Sequence, residues 1–512
     1  MGIPFAPNDP RYYGPPTINI SGPDGVFNTY NLQRQIGPRN RSNSNWDWSD
    51  HVSWQLKRHL LDFGGDILYR NVTFDQIRNP RGSFTFNGQY TGSALVDFLL
   101  GYIQSDSSNP THTSTNLYDI YPALYLQDNY KVTRNLTLNL GIRWDYFQPY
   151  TQRNDLYADI YQNGNVASTV ATPQAGTLYG RGLIQSNWNV TVEQMLPGKF
   201  QFTTSYVGAK DTHLTVTYPD FNQPITLLNG FLKTCSSTVT TNCNPPINSR
   251  RPNQFFQRAV AGDKSNGASN YNSLQVKFER RVSNGFTLLT AYTWSKCISG
   301  PSDVGGQIGG GGFIGAPQSL YFLNLERSVC GFDVPQRFVT TVLYDIPLFQ
   351  KSRPLLRYPL GGWQVSTIFT AQTGFPGNVT NNVDTTGTGI SSRPDQIANG
   401  VLPKGQRTPQ RYFNTAAFIT AQPAAFGNSP RTDAFRMPGL INDDFSATKG
   451  IQFTESTNFQ FRVDFFNLFK HFNADPNTVV NALNSKTFGT IAGGVSGGYA
   501  TRIIQFGAKL YF

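Results

Sequence analysis

Along much of this chain, apolar and polar residues alternate one for one. The C-terminal stretch shows it most cleanly: Ile504, Phe506, Ala508, Leu510 and Phe512 are separated by Gln505, Gly507, Lys509 and Tyr511. Leu136, Leu138, Leu140, Ile142 and Trp144 alternate with Thr137, Asn139, Gly141 and Arg143. The same holds for Leu274, Val276 and Phe278, for Trp363, Val365, Thr367 and Phe369, and for Phe459, Phe461, Val463 and Phe465. Successive side chains of a strand point to opposite faces, so each segment predicts a strand with one apolar and one polar face. A slip of one residue would reverse every side chain, so the pattern also predicts orientation. Leu138, Leu140, Ile142, Phe461, Val463, Phe506 and Leu510 belong on the apolar face, and Arg143, Lys277, Glu279, Arg462 and Asp464 on the polar one.

These segments run for about 9–11 residues, which a tilted strand needs to cross a bilayer. Soluble sandwiches, the competing fold, use strands of about 5–6 residues. No apolar run reaches the ~18 residues of a membrane helix, and the mean hydropathy of -0.37 suits a chain whose strands are half wet. The expected fold is therefore all-β: an antiparallel transmembrane β-barrel with its apolar face in lipid and its polar face toward a lumen. Phe506, Leu510 and Phe512 mark the expected barrel-closing terminal strand. About 14–16 strands are expected, with the barrel portion over residues 48–512 and an irregular segment with one strand, near 27–35, before it.

Turn length adds an orientation. Short turns lie at 57–59, 133–135, 197–199, 283–285 and 455–457. Between them run long Gly-, Asn-, Thr- and Pro-rich stretches at 71–111, 148–180, 210–266, 297–334, 374–439 and 471–500. Short periplasmic turns and long extracellular loops are the habit of such barrels. Counted back from Phe512, every short turn falls on one side, with 347–361 as a longer connection there.

Composition changes this picture little. Aromatic residues make up 14% and charged residues 14%, and the net charge is +11. The Lys and Arg residues are spread along the chain, so nucleic acid is not an expected partner. Cys235 and Cys243 share one long stretch, and Cys297 and Cys330 sit near the ends of another. Two loop-closing disulfides in an oxidising compartment are expected, and the spacing lacks the compactness of a zinc site. The sequence 494–498 matches a nucleophile-elbow pattern without a following helix, and 310–315 matches a dinucleotide fingerprint without a βαβ unit. The five His are isolated. No catalytic, metal or cofactor site is therefore expected, and none of these residues points to an enzyme.

The segment 124–144, Leu124 through Trp144, closely resembles a hairpin of TonB-dependent outer-membrane receptors. Residues 269–275, 291–296, 332–338, 361–365 and 461–469 are similar to the Oar-like branch of that family. The resemblance implies a bacterial outer-membrane receptor with a barrel of about 22 strands, a plug, and a TonB-contacting segment. It implies uptake of a scarce ligand, with outer-membrane lipid and the barrel assembly machinery as partners and TonB as the partner of the full-length receptor. The stretch before Trp48 resembles neither plug nor regulatory-like domain, nor does it read as a signal peptide. The expectation is a C-terminal barrel part, inactive by itself in energised transport. A passive pore or adhesion barrel, and a barrel enzyme, are the alternatives.

Overall fold

The computed structural model describes residues 16–21, 36–78, 82–107, 113–152, 159–160, 170–171, 181–218, 220, 222–224, 250–252, 262–283, 285–301, 317–319, 322–349, 352–386, 388, 390–423, 425–454, 456–493 and 502–512. The alternating segments are strands of one fifteen-stranded sheet. Thirteen of them follow one another in chain order, each antiparallel to the last; the other two are short pairs at the margin. The thirteen are β1 (Ile36–Leu56), β2 (His59–Arg78), β3 (Thr113–Lys131), β4 (Leu136–Phe147), β5 (Leu183–Leu196), β6 (Phe200–Tyr218) and β7 (Gly262–Ser283). They continue as β8 (Phe286–Ser299), β9 (Gln336–Asp345), β10 (Trp363–Gln372), β11 (Leu440–Gln452), β12 (Asn458–Phe466) and β13 (Ile503–Tyr511). Among the described residues, β1 and β13 do not pair, so the sheet is open there.

Register carries one apolar face across the whole sheet. Ile67 opposes Trp48 and Pro122, and Leu124 opposes Trp144. Ile142 opposes Trp188, Leu140 opposes Val190, and Tyr206 opposes Leu274. Leu274 opposes Trp294, Thr367 opposes Phe445, and Val463 opposes both Ala447 and Phe506. Paired residues share a face, so Leu138, Leu140, Ile142, Phe461, Val463, Phe506 and Leu510 lie together on it. All seven tryptophans of the chain, Trp46, Trp48, Trp54, Trp144, Trp188, Trp294 and Trp363, fall on this face by the same pairing. Their side chains are amphipathic, which suits the rim of an apolar band. Near the short-turn end, His59 stacks on Tyr130 and its Nδ1 lies 2.8 Å from Asp128, a polar cluster on the same face.

Connections alternate short and long throughout. Two residues join β1 to β2, and Lys57 takes a positive φ of 56° there. At the β5–β6 turn Gly198 takes φ 77°, which a glycine adopts without a Cβ clash. The connection from β9 to β10 holds a short helix, Pro354–Leu360. No helix of the described residues is long and apolar enough to cross a membrane, which says nothing of a β-barrel.

Four strands differ in extent from the sequence reading. The strand read from Trp48 starts at Ile36, and β2, β6 and β7 run well into the stretches read as loop. Residues such as Asn40, Arg41, Ser42, Asn43 and Ser44 carry no apolar alternation, because a strand end projecting into water has no lipid face to cover. The proposed extra strand near 27–35 lies outside the described residues.

Candidate functional site: the polar sheet face and the long-loop assembly

The face opposite the tryptophans is polar, and many of its charges are paired. Arg143 lies on this face, 2.8 Å from Asp145 and 3.3 Å from Asp66. Lys277 pairs with Glu279 at 3.2 Å, and Arg462 with Asp464 at 2.7 Å. Arg70 donates to both oxygens of Asp119 at 3.0 and 2.7 Å and also meets Tyr121. Asn139 and Gln201 donate to Glu193 at 3.3 and 3.2 Å. Alternation places i and i+2 on one face, so Arg143–Asp145, Lys277–Glu279 and Arg462–Asp464 are pairs formed along single strands. Such exposed pairs stabilise little, and their effect is to keep this face hydrated.

At the long-loop end, four connections fold against one another. The apolar centre, built by the β10–β11 and β12–β13 connections, is Phe413, Phe435, Phe418, Val379, Ala417, Ala434 and Val479, flanked by Tyr412, Met437, Leu483, Phe488 and Ile491. Phe413 is 1% exposed. Its ring stacks on Phe435 at 4.1 Å and meets Phe488 and Phe418 edge-on at 5.2 and 6.0 Å. Backbone bonds stitch the segments: Tyr412 N donates to Gly489 O at 2.7 Å, Ala434 N to Gly377 O at 2.8 Å, and Thr380 N to Asn481 O at 3.0 Å. Burial of its ring raises the Tyr412 hydroxyl above its ordinary value.

Beside this centre lies a buried polar network. Glu326, fully buried, accepts from Arg393 Nη1 at 2.6 Å and from Gln318 N at 3.0 Å. Arg393 also donates to Leu325 O and Ser429 O. Arg431 donates to Glu326 O at 3.0 Å and to Ser299 Oγ at 2.9 Å, which ties the loop to the end of β8. Burial pulls the Arg431 guanidinium below its ordinary value; Glu326 opposes this and Arg393 adds to it. Asp333 accepts from Cys297 N at 2.8 Å and from Arg436 at 3.0 Å. The connection between β6 and β7 joins through Gln223, whose Nε2 donates to Gln318 O at 2.9 Å, and holds the Arg251–Asp220 pair at 2.6 Å.

Cys297 and Cys330 are bonded, with Cα atoms 5.3 Å apart, at the long-loop end where β8 leaves the sheet. Cys235 and Cys243 lie outside the described residues, as do 310–315 and 494–498. The terminal strand, with Phe506 and Leu510, pairs along β12, and Phe512 is 96% exposed. Among the described residues, no group of three His, Cys, Asp or Glu side chains could hold a metal. Sequence reading missed the loop assembly altogether. The one signal it left is local: Arg and Asp residues recur through 384–436 beside Phe413, Phe418 and Phe435.

A second, smaller unit uses the connection between β2 and β3. Thr17–Ile20 pairs in parallel with Ser83–Phe86, which pairs with Ser105–Ser107. Helix Ala94–Leu100 packs on it through Ala94 and Phe98, around Ile20 and Phe86. Asp97, fully buried, accepts from Thr91 Oγ1 at 2.6 Å and from the Thr91 and Tyr90 amides. Burial alone would raise its carboxyl, but these bonds outweigh burial and hold it below the ordinary value.

Several solved structures resemble this chain. The outer membrane transporter YddB from Escherichia coli is 11% identical, over 98% of this chain and 59% of that one, with a TM-score of 0.44. BauA, the ferric preacinetobactin receptor from Acinetobacter baumannii, is 9% identical over 93% of this chain and 55% of its own, at 0.38. The ferripyoverdine receptor of the outer membrane of Pseudomonas aeruginosa is 10% identical over 95% and 51%, at 0.39. The chain thus spans a little over half the length of those structures. No curated protein matches its sequence. Residues 1–188 and 183–505 match the family model described as outer membrane beta barrel domain. With a continuous apolar face, a paired polar face and alternating turn lengths, the chain belongs to the outer membrane beta-barrel domain family and resides in the bacterial outer membrane.

Proposed function

We propose that this chain is the barrel part of a TonB-dependent receptor of the Oar-like kind, and that its long loops capture a ligand at the cell surface. The observation that carries the reading is the folded loop assembly. A passive pore needs an open mouth, whereas here the β10–β11 and β12–β13 connections share an apolar centre, and a buried Glu326–Arg393–Arg431 network ties the β8–β9 connection to them. Ordered loops hold a recognition surface in one geometry, which lowers the entropy lost on binding. Ile397 and Ile419, 62% and 40% exposed, sit on the short ribbon formed by Asp395–Gln396 and Phe418–Ile419 and offer apolar contact area. The paired charges of the inner face would keep a passage wet.

The test is reconstitution of the chain in planar bilayers, beside a variant with residues 378–434 replaced by a short glycine linker. The receptor reading expects low conductance from the intact chain and a large rise in the variant. A stable, large conductance from the intact chain would favour the pore. Specific retention of a TonB C-terminal domain by the intact chain would show that it carries the coupling segment.

A further inference from the structure

The apolar face is not uniform. Between β1, β2, β3 and β4 it is indented by an open cavity of about 470 Å³, lined by Trp48, Asp50, Gly65, Ile67, Leu124 and Trp144. Its walls are large: Leu124 is 61% exposed, Trp48 57% and Ile67 49%. Its floor is Gly65, where a Cβ would meet Ala123 O and Leu124 Cδ2, both at 2.9 Å. Gly65 opposes Asp50 across the β1–β2 pair, so the Asp50 carboxyl shares the face and has no side chain opposite it. Asp50 forms no hydrogen bond or ion pair among the described residues. It stands two positions from Trp48 along β1 and in one cross-strand row with Gly65, Leu124 and Trp144.

A carboxyl on this face departs from the pattern, since the lipid-facing positions of a barrel are apolar. Intramembrane acids mark sites where something answers them. The indentation has the size of a small-ligand pocket, about 300–1,000 Å³, and it opens on the surface that meets lipid in the bilayer.

We propose that this groove is a lipid site, seating one hydrocarbon chain between Trp48 and Trp144 while a hydroxyl on that chain donates a hydrogen bond to Asp50. The occupant is an acyl chain hydroxylated near its head group. Unsubstituted chains would fill the groove and leave the carboxyl unanswered. The inference rests on the apolar face meeting lipid, which oxygen accessibility of labelled strand residues tests separately.

The experiment uses the full chain refolded in detergent, with native mass spectrometry as the readout. The probes are the monoacylglycerol esters of 3-hydroxymyristic and myristic acid. A hydrogen bond to a carboxylate makes the hydroxylated probe bind about tenfold more tightly. Asp50→Ala should abolish the preference while retaining both probes. Ile67→Trp, which fills the groove from an exposed position, should lose both. Heat-modifiable migration on gels checks that each variant is folded. Equal binding of the two probes by the wild type, or unchanged binding by folded Ile67→Trp, overturns the proposal. A dimer that Ile67→Trp abolishes would overturn it in favour of a second copy of the chain.

Discussion

Replacing Phe413 with alanine should melt the long-loop assembly and leave the sheet standing. Phe413 is 1% exposed and touches three other rings, Phe435 at 4.1 Å, Phe488 at 5.2 Å and Phe418 at 6.0 Å. Truncating a buried phenylalanine costs about 3–5 kcal/mol, transfer and cavity terms together. The lost edge and stacking geometry lies within that figure, since aromatic pairs contribute about 0.5–1.5 kcal/mol each. None of the partner rings belongs to the sheet, so the cost falls on the opening of the loops. At one power of ten per 1.4 kcal/mol, the open population rises by about two to three and a half powers of ten. Amide exchange reads this directly. The Tyr412, Ala434 and Ile397 amides, bonded to Gly489, Gly377 and Ala417, should lose protection by that factor. The amides of Val463 and Ile142, in sheet pairs, should be unchanged. A loss under tenfold at the loop amides, or an equal loss in the sheet, would refute a separate loop core.

Other perturbations have defined outcomes. Glu326→Gln leaves Arg393 and Arg431 with an uncompensated buried charge, and breaking such a pair costs about 3–5 kcal/mol; protease cleavage within 322–335 should accelerate while barrel migration on gels stays constant. Reducing the Cys297–Cys330 bond, which closes a loop of sequence separation 33, should remove about 3–4 kcal/mol of local stability; mass mapping of proteolysis between the two cysteines reads it, and unchanged cleavage would show that the bond constrains nothing. Asp97 has its folded carboxyl below the ordinary 3.8. Its contribution is therefore present above that value and lost as pH falls through the folded one. Exchange at the Tyr90 and Thr91 amides should rise on acidification below about pH 3.8 relative to neighbouring sheet amides, and Asp97→Asn should flatten that dependence.

Much of the sheet was legible because a bilayer imposes period two. Leu138, Leu140 and Ile142 could face only one way once Asn139 and Arg143 faced the other, and the register of β4 with β5 keeps that choice. Turn lengths fixed the order of the strands, since each short turn forces the next strand to be an antiparallel neighbour. The strand ends beyond the band were illegible: Asn40–Ser44 and Asp263–Asn266 carry no alternation, and only pairing with a neighbour makes them strands. The loop assembly was illegible for a different reason. Phe413 and Val479 sit in irregular backbone and Phe435 in a two-residue strand too short to show a period, and Val479 meets the other two only after β11 and β12 bring distant loops to one end. The charge network followed the same rule: Glu326 and Arg393 are 67 positions apart, and nothing local couples them. Strand-borne pairs such as Lys277–Glu279 were within reach of sequence because they are i and i+2.

The central claim is that the face bearing the tryptophans meets lipid. Spin labels placed singly at Leu138, Asn139, Leu140, Gly141, Ile142 and Arg143, in the chain reconstituted in bilayers, test it most directly. Accessibility to oxygen, which partitions into lipid, should peak at 138, 140 and 142. Accessibility to a water-soluble nickel chelate should peak at 139, 141 and 143. Uniform accessibility along β4, or the opposite phase, would contradict the account.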